Sequence, residues 1–312
     1  MRRGIDISQI EKAHRRRTAV ASVIIFVGIP VVIAAGYLLM KNRSYMAASW
    51  LILIMTIAPF FMVFERRKPK AREIVLIAMM CALTVCAQLV FGHAVGIRAG
   101  TAMIIVAGIA LGPEAGFLIG ALGRFVLNFY EGQGPWTPWQ MFCWGLLGFL
   151  AGLAFNRAGV EKLKSRSFAP IMGPVLCVVF AVIAAYIGWL LFPGEGGTFF
   201  GWRLYVFGAA GLLLGVIVQR KRLPVDDITL TVFTFFAVFI IYGGIMNICA
   251  MVTAAGIPGA GDISWETLKV LYISGVPYDF GHAATAALFN LFFGDKIIRK
   301  LERVKLKYGI YR

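Results

Sequence analysis

Apolar runs of roughly twenty residues recur along the whole chain, and a helix of about that length crosses a bilayer. They fall at 18–40, 45–64, 72–91, 99–111, 115–130, 137–155, 168–192, 200–219, 228–255 and 267–294. Inside a bilayer no water pairs the backbone polar groups, so runs of this kind close their hydrogen bonds as helices. The expected fold class is an all-α polytopic membrane protein with about ten transmembrane helices. Composition agrees, at 60% hydrophobic and 15% charged. Soluble domains are nearer half and a quarter.

The net charge of +16 suggests nucleic acid only until its placement is read. Lys and Arg cluster between the apolar runs: six in 1–17, five in 65–72, four in 156–167, three in 220–222 and seven in 295–312, together 25 of 31. The alternate connections carry only Lys41, Arg43, Arg98, Arg203 and Lys269, and Arg124 falls within a run. That asymmetry predicts a multi-pass protein of the plasma membrane with both termini cytoplasmic. The first run has 23 residues, too long for a signal sequence's apolar region of about 7–15. It is read as a retained span.

The pair 99–111 and 115–130 is the least regular. Segments 65–72 and 156–167 are both basic, so an even number of crossings separates them. Four crossings make the pair a hairpin broken at Gly112-Pro113; two make it re-entrant. Either way the stretch EGQGPWTPWQ, 131–140, faces outside.

Several function classes lack their residues. There is no Gly-Lys dipeptide and hence no P-loop for ATP. HExxH and GxSxG are missing as well, so the chain is not expected to be an enzyme. Five cysteines, Cys81, Cys86, Cys143, Cys177 and Cys249, lie inside apolar runs without a CxxC pair. They read as small core residues, with no metal site.

Polar residues within the runs carry the functional signal. Arg124 lies ten residues after Glu114, about 15 Å along a helix. A charge at that depth faces either a cavity or an acidic partner, for which Asp279 is the candidate. Asn128 follows one turn on, towards EGQGPWTPWQ. In SGVPYDFGH (274–282), Pro277 predicts a helix start, with the spanning helix running from 277 to 294. Before it, WETLKVLY reads as a short interfacial helix. Asp279 and His282 share one face of the spanning helix. They and Asn247 are either satisfied hydrogen-bonders or binding groups. In EGQGPWTPWQ, Pro135 and Pro138 stiffen the turn. Trp136 and Trp139 form either an interfacial belt or a rigid lip above Arg124 and Asn128, with Gln140 at the top of the next helix. Small residues four apart, Ala78 and Ala82 in AMMCA, and the glycines of GFLIG (116–120), GFLAG (148–152) and GLLLG (211–215), permit close helix approach.

GPEAGFLIGALGRFVLNF, GPWTPWQMFCWGLLGFLAGL and the closing VPYDFGHAATAALFNLFFGDKIIRKLERVKLKYGI resemble the S components of energy-coupling factor (ECF) transporters, most of all the cobalamin-specific subfamily. The resemblance covers roughly 72–156 and 228–310. It implies a vitamin-binding subunit without cofactor or ATPase of its own, with cobalamin as the vitamin. A transmembrane T component and two cytoplasmic ATP-binding subunits would energise it as the S component topples in the membrane. Ala78 and Ala82 match the family's docking motif. The implied substrate-binding set is Arg124, Asn128, Trp136, Trp139, Gln140, Asn247, Asp279 and His282.

The resemblance divides the chain into a basic N-terminus with two extra helices (1–71), core helices 1–4 (72–156), an inserted pair (157–227), and core helices 5–6 with a basic tail (228–312). Family members usually have six spans, so the front pair and the insert are departures. The rival reading is a self-contained secondary transporter, with Glu114, Arg124, Asp279 and His282 as an ion relay. The absence of visible repeat halves counts against it.

Overall fold

The computed structural model describes residues 22–40, 71–155, 169–192, 202–219, 225–255 and 263–308, together with positions 20, 51, 54 and 55. The basic N-terminus and most of the expected 45–64 span lie outside the described residues, as do the basic connections 65–70, 156–168 and 220–224.

Every element among the described residues is helical. A π-helical turn, Ile24–Gly28, leads into α1 (Ile29–Met40). Then come α2 (Ala71–Val95), α3 (Ala99–Leu111), α4 (Pro113–Glu131) and α5 (Thr137–Ala154). Next are α6 (Ala169–Leu191) and α7 (Trp202–Gln219). A π-turn, Ala237–Tyr242, joins α8 (Asp227–Phe236) to α9 (Gly243–Ala254). Another, Asn290–Gly294, joins α10 (Trp265–Phe289) to α11 (Asp295–Tyr308). Among the described residues, two stretches are long and apolar enough to cross a membrane, Ala71–Ala94 and Asp227–Ala254. Shorter apolar helices are Ile24–Ala35, Ala99–Leu111, Phe180–Leu191 and Trp202–Gly215.

The helix between 99 and 130 breaks where the sequence places the break. Gly112 has φ 101°, a conformation open to glycine, and Pro113 opens α4, where its missing N–H costs no bond. All 13 residues of α3 are buried. The helices α3, α4 and α5 meet backbone to backbone. A methyl group at Gly116 would lie 2.6 Å from the Gly108 Cα, and one at Gly152 would lie 2.5 Å from the Pro113 nitrogen. GFLIG and GFLAG therefore serve packing within the chain. Gly211 does the same between α7 and α6, where a methyl would lie 2.7 Å from the Ala181 Cα. Ala78 and Ala82 differ: both are exposed on α2.

At the end of the bundle opposite the 132–136 loop, α11 ties the core together. Lys305 Nζ donates to the Ala110 carbonyl at 2.6 Å and to Glu302 Oε1 at 2.7 Å. A cation thus meets the carbonyl end of α3, which carries partial negative charge. Arg72, at the start of α2, donates to the Tyr308 carbonyl at 3.2 Å.

The expected start of a helix at Pro277 is corrected. Helix α10 runs unbroken through Pro277, from a cap in which Ser264 Oγ accepts the Thr267 N–H at 3.1 Å. Trp265–Tyr272 is its first part and not a separate helix. Pro277 removes one backbone donor, and packed helices tolerate that where neighbours re-satisfy the freed groups.

Candidate functional site

Three buried polar clusters lie near the loop end. The first joins α4 and α5. Arg124 Nε donates to Gln140 Oε1 at 2.9 Å, and its Nη1 lies 2.8 Å from Glu131 Oε2. Asn128 Nδ2 donates to the same Gln140 oxygen at 2.8 Å and to Thr137 Oγ1 at 3.2 Å. Thr137 Oγ1 accepts the Gly134 N–H at 3.0 Å and donates to Gln133 Oε1 at 3.0 Å. Gln133 in turn donates to the Phe125 carbonyl at 3.0 Å. The loop is therefore pinned from beneath by the polar stripe of α4. Arg124 also stands over the Trp144 ring, 5.1 Å from its centroid. Of the two alternatives for Arg124, the acidic-partner one holds with a different partner from the candidate Asp279: it is Glu131, seven residues on and two turns away on the same helix face.

The second cluster surrounds Asp279. Tyr205 of α7 donates its hydroxyl to Asp279 Oδ2 at 2.6 Å, and Asn247 Nδ2 donates to the same oxygen at 2.9 Å. Tyr205 lies against Tyr272, with centroids 4.6 Å apart, and stacks on Phe239 at 5.4 Å. Helix α7 thereby reaches into the polar core.

His282 centres the third. Its Nε2 is 2.9 Å from Thr101 Oγ1 of α3. The Tyr242 ring meets it edge-on with centroids 4.5 Å apart, and Tyr278 lies at 6.4 Å. Tyr242 ends the π-turn, which inserts an extra residue into the helix; such turns recur at functional sites. Arg98, from the α2–α3 connection, sits 5.9 Å from the Tyr278 centroid. The first and third clusters adjoin, because the Trp144 ring reaches Gly100, next to Thr101.

Three buried polar atoms here have no hydrogen-bond partner among the described residues: His282 Nδ1, Trp144 Nε1 and Asn128 Oδ1. Buried groups are ordinarily paired, so an unpartnered set around aromatic rings is the pattern of a ligand pocket.

Trp136 is exposed at the loop, while Trp139 packs against the cluster of Phe142, Leu146, Ile25 of the first π-turn and Ile29 of α1. His93 is exposed, with Nδ1 3.1 Å from the Leu89 carbonyl. No group of three metal-ligating side chains occurs among the described residues. Sequence reasoning missed Glu131, Trp144, Tyr205, Tyr242, Arg98 and Thr101. The i,i+7 spacing from Arg124 could have found Glu131. Nothing local marks Tyr205, which lies 74 residues from Asp279.

A family model described as the ECF-type riboflavin transporter, S component, matches residues 68–197. Over that stretch, which holds α2 to α5 and α6, the chain is similar to the S component class. It is also 29% identical over 128 residues to a UPF0397 protein of Vibrio atlanticus (strain LGP32), covering 38% of this chain and 66% of that relative. No solved structure matches. The matching family carries riboflavin in its description, and not the cobalamin that the sequence motifs suggest.

Proposed function

We propose that this chain is the substrate-binding subunit of an ECF-type ABC importer. It lies in the plasma membrane with both termini cytoplasmic, and its ten spans comprise six core helices, a front pair and an inserted pair. A vitamin enters at the loop end, and a T component with two ATP-binding subunits drives its delivery by toppling. One observation carries this reading: His282 Nδ1 and Trp144 Nε1 have no hydrogen-bond partner among the described residues, and Tyr242, Tyr278, Arg98 and Arg124 lie around their rings. The loop above them, with Trp136 exposed, forms the mouth. Asn128 and Gln140 wall the pocket, Trp139 braces the loop, and Asn247 with Asp279 holds α10 beside it. The motif resemblance favours a corrinoid, and the matching family's description favours a flavin.

Equilibrium dialysis of the purified chain against riboflavin and cyanocobalamin tests this. One of them should bind saturably without ATP turnover, and Trp144→Phe should weaken binding about tenfold, near 1.4 kcal/mol. Affinity purification should co-isolate one membrane subunit and two ATPases. Binding of neither vitamin would remove the ligand assignment. Uptake by the lone chain that collapses with the proton gradient would favour the secondary transporter.

A further inference from the structure

We infer that the exposed face of α11 binds the phosphates of anionic phospholipids in the leaflet that α10 leaves. Lys296, Lys300, Arg303 and Lys307 follow one another at intervals of four, three and four residues, so they form one line down the helix. All four are exposed, while Ile298, Leu301 and Glu302 are buried on the opposite side. The remaining cations of the helix are already engaged. Arg299 Nε lies 2.6 Å from Asp295 Oδ2, and Lys305 pairs with Glu302. None of the four in the line forms an ion pair among the described residues.

What precedes the line says what it faces. Phe292 and Phe293 are 55% and 46% exposed, and Lys296 follows them at i+4 and i+3. Apolar aromatics thus give way to cations along one continuous exposed side, the order in which a helix leaving a bilayer meets acyl chains and then headgroups. Each end of α11 adjoins the start of a helix long enough to span. Gly294, the residue before α11, packs directly on Leu230 in the first turn of α8, and the Tyr308 carbonyl accepts from Arg72 on α2. The line is therefore held at the boundary of the apolar zone, where clustered Lys and Arg attract anionic lipid. This inference rests on the membrane placement proposed above and needs neither the vitamin nor the ATPases.

Native mass spectrometry of the full chain in mild detergent tests it, with phosphatidylglycerol and phosphatidylcholine of matched acyl chains as probes. The wild type should retain phosphatidylglycerol several-fold over phosphatidylcholine, with the preference falling as ionic strength rises. The variant Lys296→Gln, Lys300→Gln, Arg303→Gln, Lys307→Gln should lose that preference. A second variant, Lys296→Arg, Lys300→Arg, Lys307→Arg, should keep it, which separates charge from folding. Equal retention by the glutamine variant would overturn the inference. Loss of an acidic protein partner from that variant, with lipid preference intact, would also overturn it and assign the face to protein docking. A chain that stays soluble without detergent would sink the membrane placement itself.

Discussion

The hydroxyl of Tyr205 lies 2.6 Å from Asp279 Oδ2, and that bond links α7 to α10, the helix carrying His282. Tyr205→Phe leaves the ring stacking in place and removes one of the two donors to a buried carboxyl oxygen. The expected cost is about 1–3 kcal/mol. Thermal unfolding in detergent measures it, and an unchanged midpoint would show that the bond adds nothing. Asn247→Ala removes the other donor, and the double variant should lose more than either single.

Arg124 and Glu131 hold the loop as a unit. The side chain of Arg124 is 10% exposed and that of Glu131 20%, so solvent screens the pair only in part. A double-mutant cycle with Arg124→Gln and Glu131→Gln should return a coupling of roughly 1 kcal/mol, within the range for residues in one network. Additive effects would mean that Gln140 and Trp144 alone position the guanidinium.

Two glycines should respond in opposite directions to alanine. At Gly116 the new methyl meets the Gly108 Cα at 2.6 Å, whereas at Gly281 nothing lies within 4 Å. Gly116→Ala should destabilise by about 1–3 kcal/mol through overpacking. Gly281→Ala should be neutral or stabilising by up to about 1 kcal/mol, because alanine is the better helix former. Equal shifts in unfolding temperature would contradict the backbone contact between α3 and α4.

Ala78 and Ala82 project from α2 and lie outside the buried core. Ala78→Trp and Ala82→Trp should leave unfolding temperature and ligand binding unchanged, yet abolish uptake in cells expressing the full transporter, because bulk at a close-packed face keeps helices apart. Wild-type uptake in both variants would place the docking surface elsewhere.

The sequence by itself determined whatever depends on neighbours along the chain. Apolar length gave helices among the described residues, Gly112-Pro113 gave the break between α3 and α4, and 131–140 marked a connection, although Pro138 and Trp139 lie in the first turn of α5 and only 132–136 form the loop. Arg124 stood out because a charge in an apolar run needs an explanation, wherever its partner lies. Its partner Glu131 was equally local, two turns along the same helix, and the spacing was there to be read. Pro277 misled because a proline's local cost argues for a helix start. Packing of α10 against α9 and α7 carried the helix through. Only the tertiary structure decided which buried groups meet. Tyr205 reaches Asp279 across 74 residues, His282 reaches Thr101 across 181, and Lys305 caps Ala110 across 195. No periodicity records such pairs. A buried polar group must find some partner, but which partner depends on helix rotation and crossing, and those are set by the contact of whole faces. The same holds for the unpartnered atoms of His282 and Trp144. Only the arrangement of α3, α5 and α10 sets the Trp144 ring against Gly100 and the His282 ring against its neighbour Thr101.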